Sequence, residues 1–173
     1  DKEGKTAFSW AVIGGHRPVA DLLLKAGASG DYASVEWEGN ESAIEEPLDI
    51  AVTDGEEWSR HWRRAFGKEA PDIDFGRYFV ASVFLGHRAG WWYSIDLQDP
   101  VVKGEEYMVG YGLMMLRVRM SPEGSRNPGF RGQYAMKAFP RREGLKPVVR
   151  LVSKEGGFDP KRGGEPWGDL QSG

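Results

Sequence analysis

The stretch that decides the fold is residues 77–98, RYFVASVFLGHRAGWWYSIDLQ, because it contains two different strand patterns. Residues 77–85 are apolar on both faces, which is typical of a central strand covered on both sides. Residues 91–98 alternate instead: the odd-numbered residues are apolar, and the even-numbered ones become polar after Trp92. The stretch therefore predicts a buried central strand, a turn, and a strand with only one face towards the core.

One amphipathic helix precedes this stretch. Asp54 with Glu57 forms a variant of the capping box, and Gly67 supplies the end signal. Trp58 and Trp62 recur at helical spacing, so both are expected on the face that packs against the sheet.

The remaining apolar runs predict further strands at residues 47–53, 133–139 and 147–153. Residues 106–120 are interpreted as two runs separated near residues 110–112. In the second run we expect four apolar residues to face the core: Met114, Leu116, Val118 and Met120. One helix with mostly antiparallel strands predicts an α+β, β-rich fold for residues 47–155.

Residues 1–29 show a different architecture, with two short apolar helical patterns on either side of a glycine pair. The segment resembles one ankyrin repeat, although Ala7, Phe8 and Ser9 replace the Pro-Leu-His part of its signature, which implies a terminal, capping-type repeat. The residues in register are Asp1, Gly4, Thr6, Ala11, Gly15, His16, Val19, Leu22, Leu23, Leu24, Gly27 and Ala28.

A lone ankyrin repeat leaves an apolar face uncovered, because each repeat buries that face against its neighbours. We expect this helix pair either to end an array whose other repeats lie upstream or to dock on the domain that follows, with Trp92 as a candidate for the cover. The resemblance implies a packing or hydrogen-bonding role for His16.

Residues 48–152 carry a second set of features in a fixed order. They are Trp62, the run Pro-Asp-Ile-Asp-Phe at 71–75, a strand ending at Leu85 and Gly86, Arg88, the run Tyr-Ser-Ile at 93–95, and residues 134–139 followed by Pro140 and Arg141. This order resembles the protease-complex subunit PrcB-like family, with Gly-Trp-Trp at 90–92 as the main departure. The resemblance implies a binding module, whose partner would be a protease or its complex.

The predicted organisation is an ankyrin repeat at 1–29, a linker at 30–46, the β-rich domain at 47–155 and an irregular tail at 156–173. The linker is acidic and contains Gly30, Gly39 and Asn40, which is typical of a loop or a loosely docked segment. Within it, the rough alternation of Tyr32, Val35 and Trp37 also allows a short edge strand.

Composition narrows the function classes. The 173 residues carry a net charge of −3 and contain no cysteine, which excludes disulfides, thiolate nucleophiles and cysteine metal sites. The charge gives no electrostatic reason to expect a nucleic-acid partner, and no apolar run approaches the ~20 residues of a membrane helix. The chain begins at Asp1, so we expect a fragment whose targeting signal lies upstream; a cytoplasmic or periplasmic location stays open.

The residues offer little for catalysis. His61 beside two tryptophans reads as a packing residue, and His87 as a solvated turn residue. Asp72 and Asp74 follow a proline and are expected to cap turns rather than bind a cation. We therefore predict no enzyme activity, no metal and no cofactor.

The sequence thus predicts a non-catalytic protein–protein interaction module, with a partner-binding patch of Arg88, Trp92 and Phe130. An alternative is a small-molecule or peptide binding domain with a cleft near residues 86–92. A second alternative is a hydrolase that uses a buried pair of carboxylates.

Overall fold

The computed structural model describes residues 6–28, 30, 32, 35–86, 92–116 and 132–155. Within these residues lie three helices and eight strands, which confirms the α+β class. The helices are α1 (Ala7–Ile13), α2 (Arg17–Lys25) and α3 (Gly55–Phe66), and the strands are β1 (Glu36–Gly39), β2 (Leu48–Val52), β3 (Tyr78–Phe84), β4 (Trp92–Leu97), β5 (Val101–Lys103), β6 (Glu106–Leu116), β7 (Tyr134–Pro140) and β8 (Lys146–Glu155).

The strands form two sheets of four strands each. The first sheet has the order β1-β7-β3-β2, and each of its pairings is antiparallel. In the second sheet β6 is central, with β8 running parallel along one edge. β4 and β5 both pair antiparallel with the opposite edge of β6, β4 along residues 111–116 and β5 along residues 106–108. The predicted, mostly antiparallel arrangement is confirmed.

The first sheet lies between the helices and the second sheet. Even-numbered side chains of β3, such as Tyr78 and Val80, join the core that contains the helices. Odd-numbered ones, such as Phe79 and Ala81, join the core between the two sheets. Each residue of β3 is buried, which confirms the central strand predicted from residues 77–85.

Helix α3 forms as its sequence predicts. The carboxylate of Asp54 accepts a hydrogen bond of 2.8 Å from the N–H of Glu57, and the helix ends at Gly67, whose φ is 65°. The rings of Trp58 and Trp62 lie 5.0 Å apart on the face that packs against the first sheet.

Helices α1 and α2 form an antiparallel pair that docks on the same side of the first sheet. Phe8 packs edge-on against Tyr32 at 5.2 Å, and Tyr32 lies 5.2 Å from Tyr78 of β3. The indole N–H of Trp37 donates to the carbonyl oxygen of Ile13 at 3.2 Å. The cover of the helix pair therefore comes from the segment around β1, whereas the described apolar residues of β4 belong to the other core.

The segment predicted as a linker is packed into the molecule. Its residues Glu36–Gly39 form edge strand β1, which pairs with β7 and contains Trp37 of the three alternating residues. Ile44 is fully buried. The N–H of Ala43 donates to the carbonyl oxygen of Ala65 in α3 at 2.8 Å. The segment therefore contains the short edge strand that the alternation allowed. Pairing with β7 satisfies the main-chain hydrogen-bonding groups of residues whose own sequence shows no regular period.

The prediction for residues 106–120 is partly wrong. Residues 106–116 form one continuous strand, and its core-facing residues include Val109, Tyr111 and Leu113, while Met114 is exposed. Gly110 and Gly112 do not interrupt the strand. A Cβ added at Gly110 would lie 3.0 Å from the side chains of Gln98 and Val152, and one added at Gly112 would lie 2.8 Å from the Ser153 hydroxyl. The glycines therefore mark close approach rather than a break. The side chains of Leu116, Val118 and Met120 lie outside the described residues.

Candidate functional site: the groove between the two sheets

The two sheets separate along one side of the molecule and leave an open groove. Two adjoining cavities, of about 410 and 330 Å³, lie between the β1–β7 side of the first sheet and strand β4 of the second. Both cavities are lined by Glu38, Ser94, Ile95 and Ala135, so they form a single groove. Its size falls in the range of ligand-binding clefts.

Strand β1 turns two carboxylates into this groove. Trp37 points to the helices and joins their core, so its neighbours Glu36 and Glu38 point to the opposite face. Glu36 is half-buried and Glu38 is exposed. Lys137 of β7 pairs with Glu36 across the strands and also lines the groove.

Strand β4 forms the opposite wall with its outer edge. The N–H of Gln98, just after β4, donates to the carbonyl oxygen of Gly110 in β6 at 2.9 Å. Because bonded and non-bonded pairs alternate along antiparallel strands, the even-numbered residues of β4 are the ones that bond to β6. The main-chain groups of Tyr93, Ile95 and Leu97 therefore point away from β6, towards the groove. Within the described residues, no hydrogen bond reaches the main-chain groups of Ile95 or Leu97.

At Tyr93 this outer edge is occupied by a side chain. The amide oxygen of Gln133 accepts from the N–H of Tyr93 at 3.1 Å, and its amide nitrogen donates to the carbonyl oxygen of Tyr93 at 3.1 Å. Gln133 is only 8% exposed, so its amide takes the place that a peptide group of a neighbouring strand would take. Beyond it, beside Ile95 and Leu97, none of the described residues fills the groove.

The closed end of the groove is held by a phenol–carboxylate pair. The hydroxyl of Tyr134 donates to the carboxylate of Glu41 at 2.7 Å, and this carboxylate also accepts from the N–H of Asn40 at 2.9 Å. Burial raises the pKa of Tyr134 well above 10, and the hydrogen bond to Glu41 raises this pKa further. The carboxylate of Glu41 therefore adds negative charge beside a phenol that stays neutral at physiological pH.

The residues of the predicted patch are only partly placed. Arg88 and Phe130 lie outside the described residues, and so does most of the 86–92 cleft. Trp92 is described by its main chain alone, as the first residue of β4, where it pairs with Leu116. Trp92 thus belongs to β4, the strand that lines one side of the groove. The partner-binding patch and the cleft at residues 86–92 stay predictions.

The other candidates have structural roles where they are described. The carboxylate of Asp74 accepts from the N–H of Gly76 at 3.0 Å, which confirms a turn cap, and Asp72 lies 3.4 Å from Arg17. His61 is half-buried; burial lowers its pKa, and the neighbouring Glu57 partly opposes this shift. In the described part of the chain, no group of three His, Asp or Glu is placed to hold a metal ion.

His16 has a main-chain role at the start of α2. Its N–H donates to the carbonyl oxygen of Ala11 at 2.8 Å, and its own carbonyl oxygen accepts from Val19 at 2.9 Å. These bonds join the two helices of the pair.

Sequence reasoning missed the residues that form the groove. Glu36 and Glu38 follow from the alternation around Trp37, but only once β1 is accepted as a strand. Gln133 and Tyr93 are separated by 40 positions, and no periodicity indicates that the side chain of Gln133 bonds to the main chain of Tyr93 at the edge of β4. Only the packing of the sheets brings them together.

Comparison of the chain with protein-family models, curated proteins and solved structures returns no match. The resemblances to an ankyrin repeat and to the PrcB-like family therefore stay predictions. None of the described helices is long and apolar enough to cross a membrane.

Proposed function

We propose that this chain is a non-catalytic protein-binding module that takes an extended peptide into the groove between its sheets. The observation that carries the proposal is the outer edge of β4, where Ile95 and Leu97 offer main-chain donors and acceptors to the groove. Extended peptides commonly bind by adding a strand to such an edge. The preceding rung at Tyr93 is already made by an amide, from Gln133.

The helix pair supports a second contact surface within the same proposal. The ankyrin resemblance implies stacking on further repeats, and α1 and α2 carry apolar side chains that are exposed in this chain. They are Trp10, Val19, Leu22 and Leu24. The PrcB-like resemblance further suggests that the groove's partner belongs to a protease or its complex.

The carboxylates of the groove favour binding over hydrolysis. Glu36 and Glu38 are two residues apart on one strand, and Glu38 is exposed to solvent. A hydrolase that uses two carboxylates needs them on either side of the bond that it cleaves. Glu36 and Glu38 lie side by side on one strand, so the hydrolase alternative has no specific support.

The proposal predicts that Ile95→Pro abolishes peptide binding without unfolding the protein. Proline removes the N–H that points into the groove, and it leaves the hydrogen bonds of β4 to β6 in place because those use even-numbered residues. The matched control is Ile95→Ala, which loses similar packing but retains the N–H. Peptides selected from a phage-displayed library of linear peptides should bind the wild type and the alanine variant, measured by fluorescence anisotropy, and not the proline variant.

Two results would contradict the proposal. One is a library that yields no peptide binding the wild type above background. The other is selected peptides that bind the proline variant as tightly as the alanine variant. Circular dichroism and thermal unfolding establish that both variants fold, and amide shifts of Ile95 and Leu97 on peptide addition give the same test in the wild type.

A further inference from the structure

We infer that the segment bound in the groove is basic, with lysine or arginine at alternate positions, and that it binds as an added strand between Gln133 and Leu97. This inference rests on the proposed function and names the chemistry of its partner. It follows from the main-chain geometry of β4 and from the charge of the surface that the added strand would face.

The main chain determines where the segment lies. Outward-pointing groups on β4 recur every second residue, about 6.8 Å apart. At Tyr93 both groups are already bonded to Gln133, so an added strand begins beyond that side chain. It then pairs with Ile95 and Leu97, which corresponds to about three to five residues of peptide.

Strand alternation determines what its side chains meet. An added strand extends the second sheet, so alternate side chains point inward to the first sheet, where Glu36 and Glu38 line the groove. The side chains between them point to the outer face, beside the exposed residues Ser94 and Asp96. Both faces of the segment therefore meet carboxylates, and among the described residues that line the two cavities Lys137, opposite Glu36, is the one basic side chain.

This charge distribution favours a basic segment over the alternatives. Opposite charges on neighbouring strands stabilise their pairing, whereas like charges destabilise it. A second copy of this chain, paired through its own β4, would bring another Asp96 to the same edge instead of a cation. A basic partner segment is also attracted before contact, which raises its association rate at low salt.

The test uses three synthetic peptides of eight residues that alternate threonine or valine with lysine, glutamine or glutamate. Binding to the full chain is measured by fluorescence anisotropy at low and physiological salt. We expect the lysine peptide to bind most tightly and to weaken as salt is added, since the contacts are partly exposed. Ile95→Pro should abolish this binding, while Ile95→Ala should retain it.

Charge reversal provides the matched comparison. The double variant Glu36→Lys/Glu38→Lys should weaken binding of the lysine peptide about tenfold or more, because two negative charges that face the groove become positive. The control Glu143→Lys/Glu105→Lys makes the same change in net charge at two exposed residues away from the groove, and it should change the affinity less than twofold.

Several outcomes would overturn the inference. If the glutamine or glutamate peptide binds as tightly as the lysine peptide, the inference of a basic partner is wrong, while the proposed peptide binding stands. A loss of affinity as large in the control as in the groove variant would show only general attraction to an acidic protein. Self-association that Ile95→Pro abolishes, detected by analytical ultracentrifugation, would identify a second copy as the occupant. Failure of every library and synthetic peptide would instead remove the proposed function.

Discussion

Gly132 shows at the scale of one residue how the closed end of the groove is held. Its φ is 66°, and a Cβ added to it would overlap the carbonyl oxygen of Ser42. The N–H of Ser42 donates to the carbonyl oxygen of Gly132 at 3.1 Å. This close approach fixes the main chain at Gly132, immediately before Gln133, and so positions the Gln133 amide that bonds to Tyr93.

Gly132→Ala should therefore destabilise the protein by at least about 3 kcal/mol, from a left-handed backbone conformation and a steric clash together. The control is Gly144→Ala, where φ is 75° but nothing lies within 4 Å of the added Cβ. That variant should lose only the conformational part, about 1–2 kcal/mol. Urea unfolding measures the free energy of unfolding of both variants. Equal decreases would show that the main chain around Ser42 moves aside without an energetic penalty.

At the scale of elements, the helix pair depends on the segment around β1. The two helices are seven and nine residues long, too short to be stable alone in water. Their buried residues, such as Phe8 and Ala11, pack into the core that also holds Trp37 and Val80. Their stability therefore comes from docking on the first sheet.

Phe8→Ala should release the helix pair without unfolding the sheets. Removing this buried ring costs about 3–5 kcal/mol of folding free energy. This loss mainly weakens the packing of α1 and α2 on the first sheet. Hydrogen exchange should show amide protection falling in both helices and persisting in β3. Leu22→Ala on the exposed side of α2 is the control and should leave protection unchanged; an equal loss in β3 would mean that helices and sheets unfold together.

At the scale of the whole molecule, β3 links the two cores and the tyrosines link the layers. Tyr32 lies between the helix pair and β3, where burial, with a smaller effect of the carboxylates of Asp72 and Asp74, raises its pKa to about 12. Burial likewise raises the pKa of Tyr134, which lies between the helix-side core and the groove. Ionisation of either phenol is therefore disfavoured in the folded protein, because burial disfavours the charged form.

Stability should therefore fall at alkaline pH. A folded pKa above the ordinary value of 10 means that the contribution is fully present below pH 10 and is lost as the pH rises towards the folded pKa. For Tyr32 the loss between pH 10 and pH 12 is roughly 2 kcal/mol. Urea unfolding at successive pH values measures it, and Tyr134→Phe should make the decline shallower. A free energy of unfolding that stays constant from pH 9 to pH 12 would contradict these shifts.

Local pattern was enough to predict much of the fold. The two-sided apolar run at 77–85, the alternation at 91–98 and the capping signals around Asp54 each correspond to an observed element. The error at 106–120 has a physical cause, because a glycine looks the same in a sequence whether it ends a strand or makes room for a neighbour. Gly110 makes room for Val152, which is 42 positions away and lies on another strand.

The sequence by itself determined the elements and the buried faces, because hydrophobic periodicity and caps act over a few residues. Only the tertiary structure decided which edges stay open. β8 occupies one side of β6, so β4 takes the other, and in the described part of the chain no strand pairs with its outer edge at Ile95 and Leu97. β1 pairs with β7 and directs Glu36 and Glu38 towards that edge. The pairing of β6 with β8 joins residues about 40 positions apart and that of β1 with β7 residues about 100 apart, separations over which periodicity carries no information.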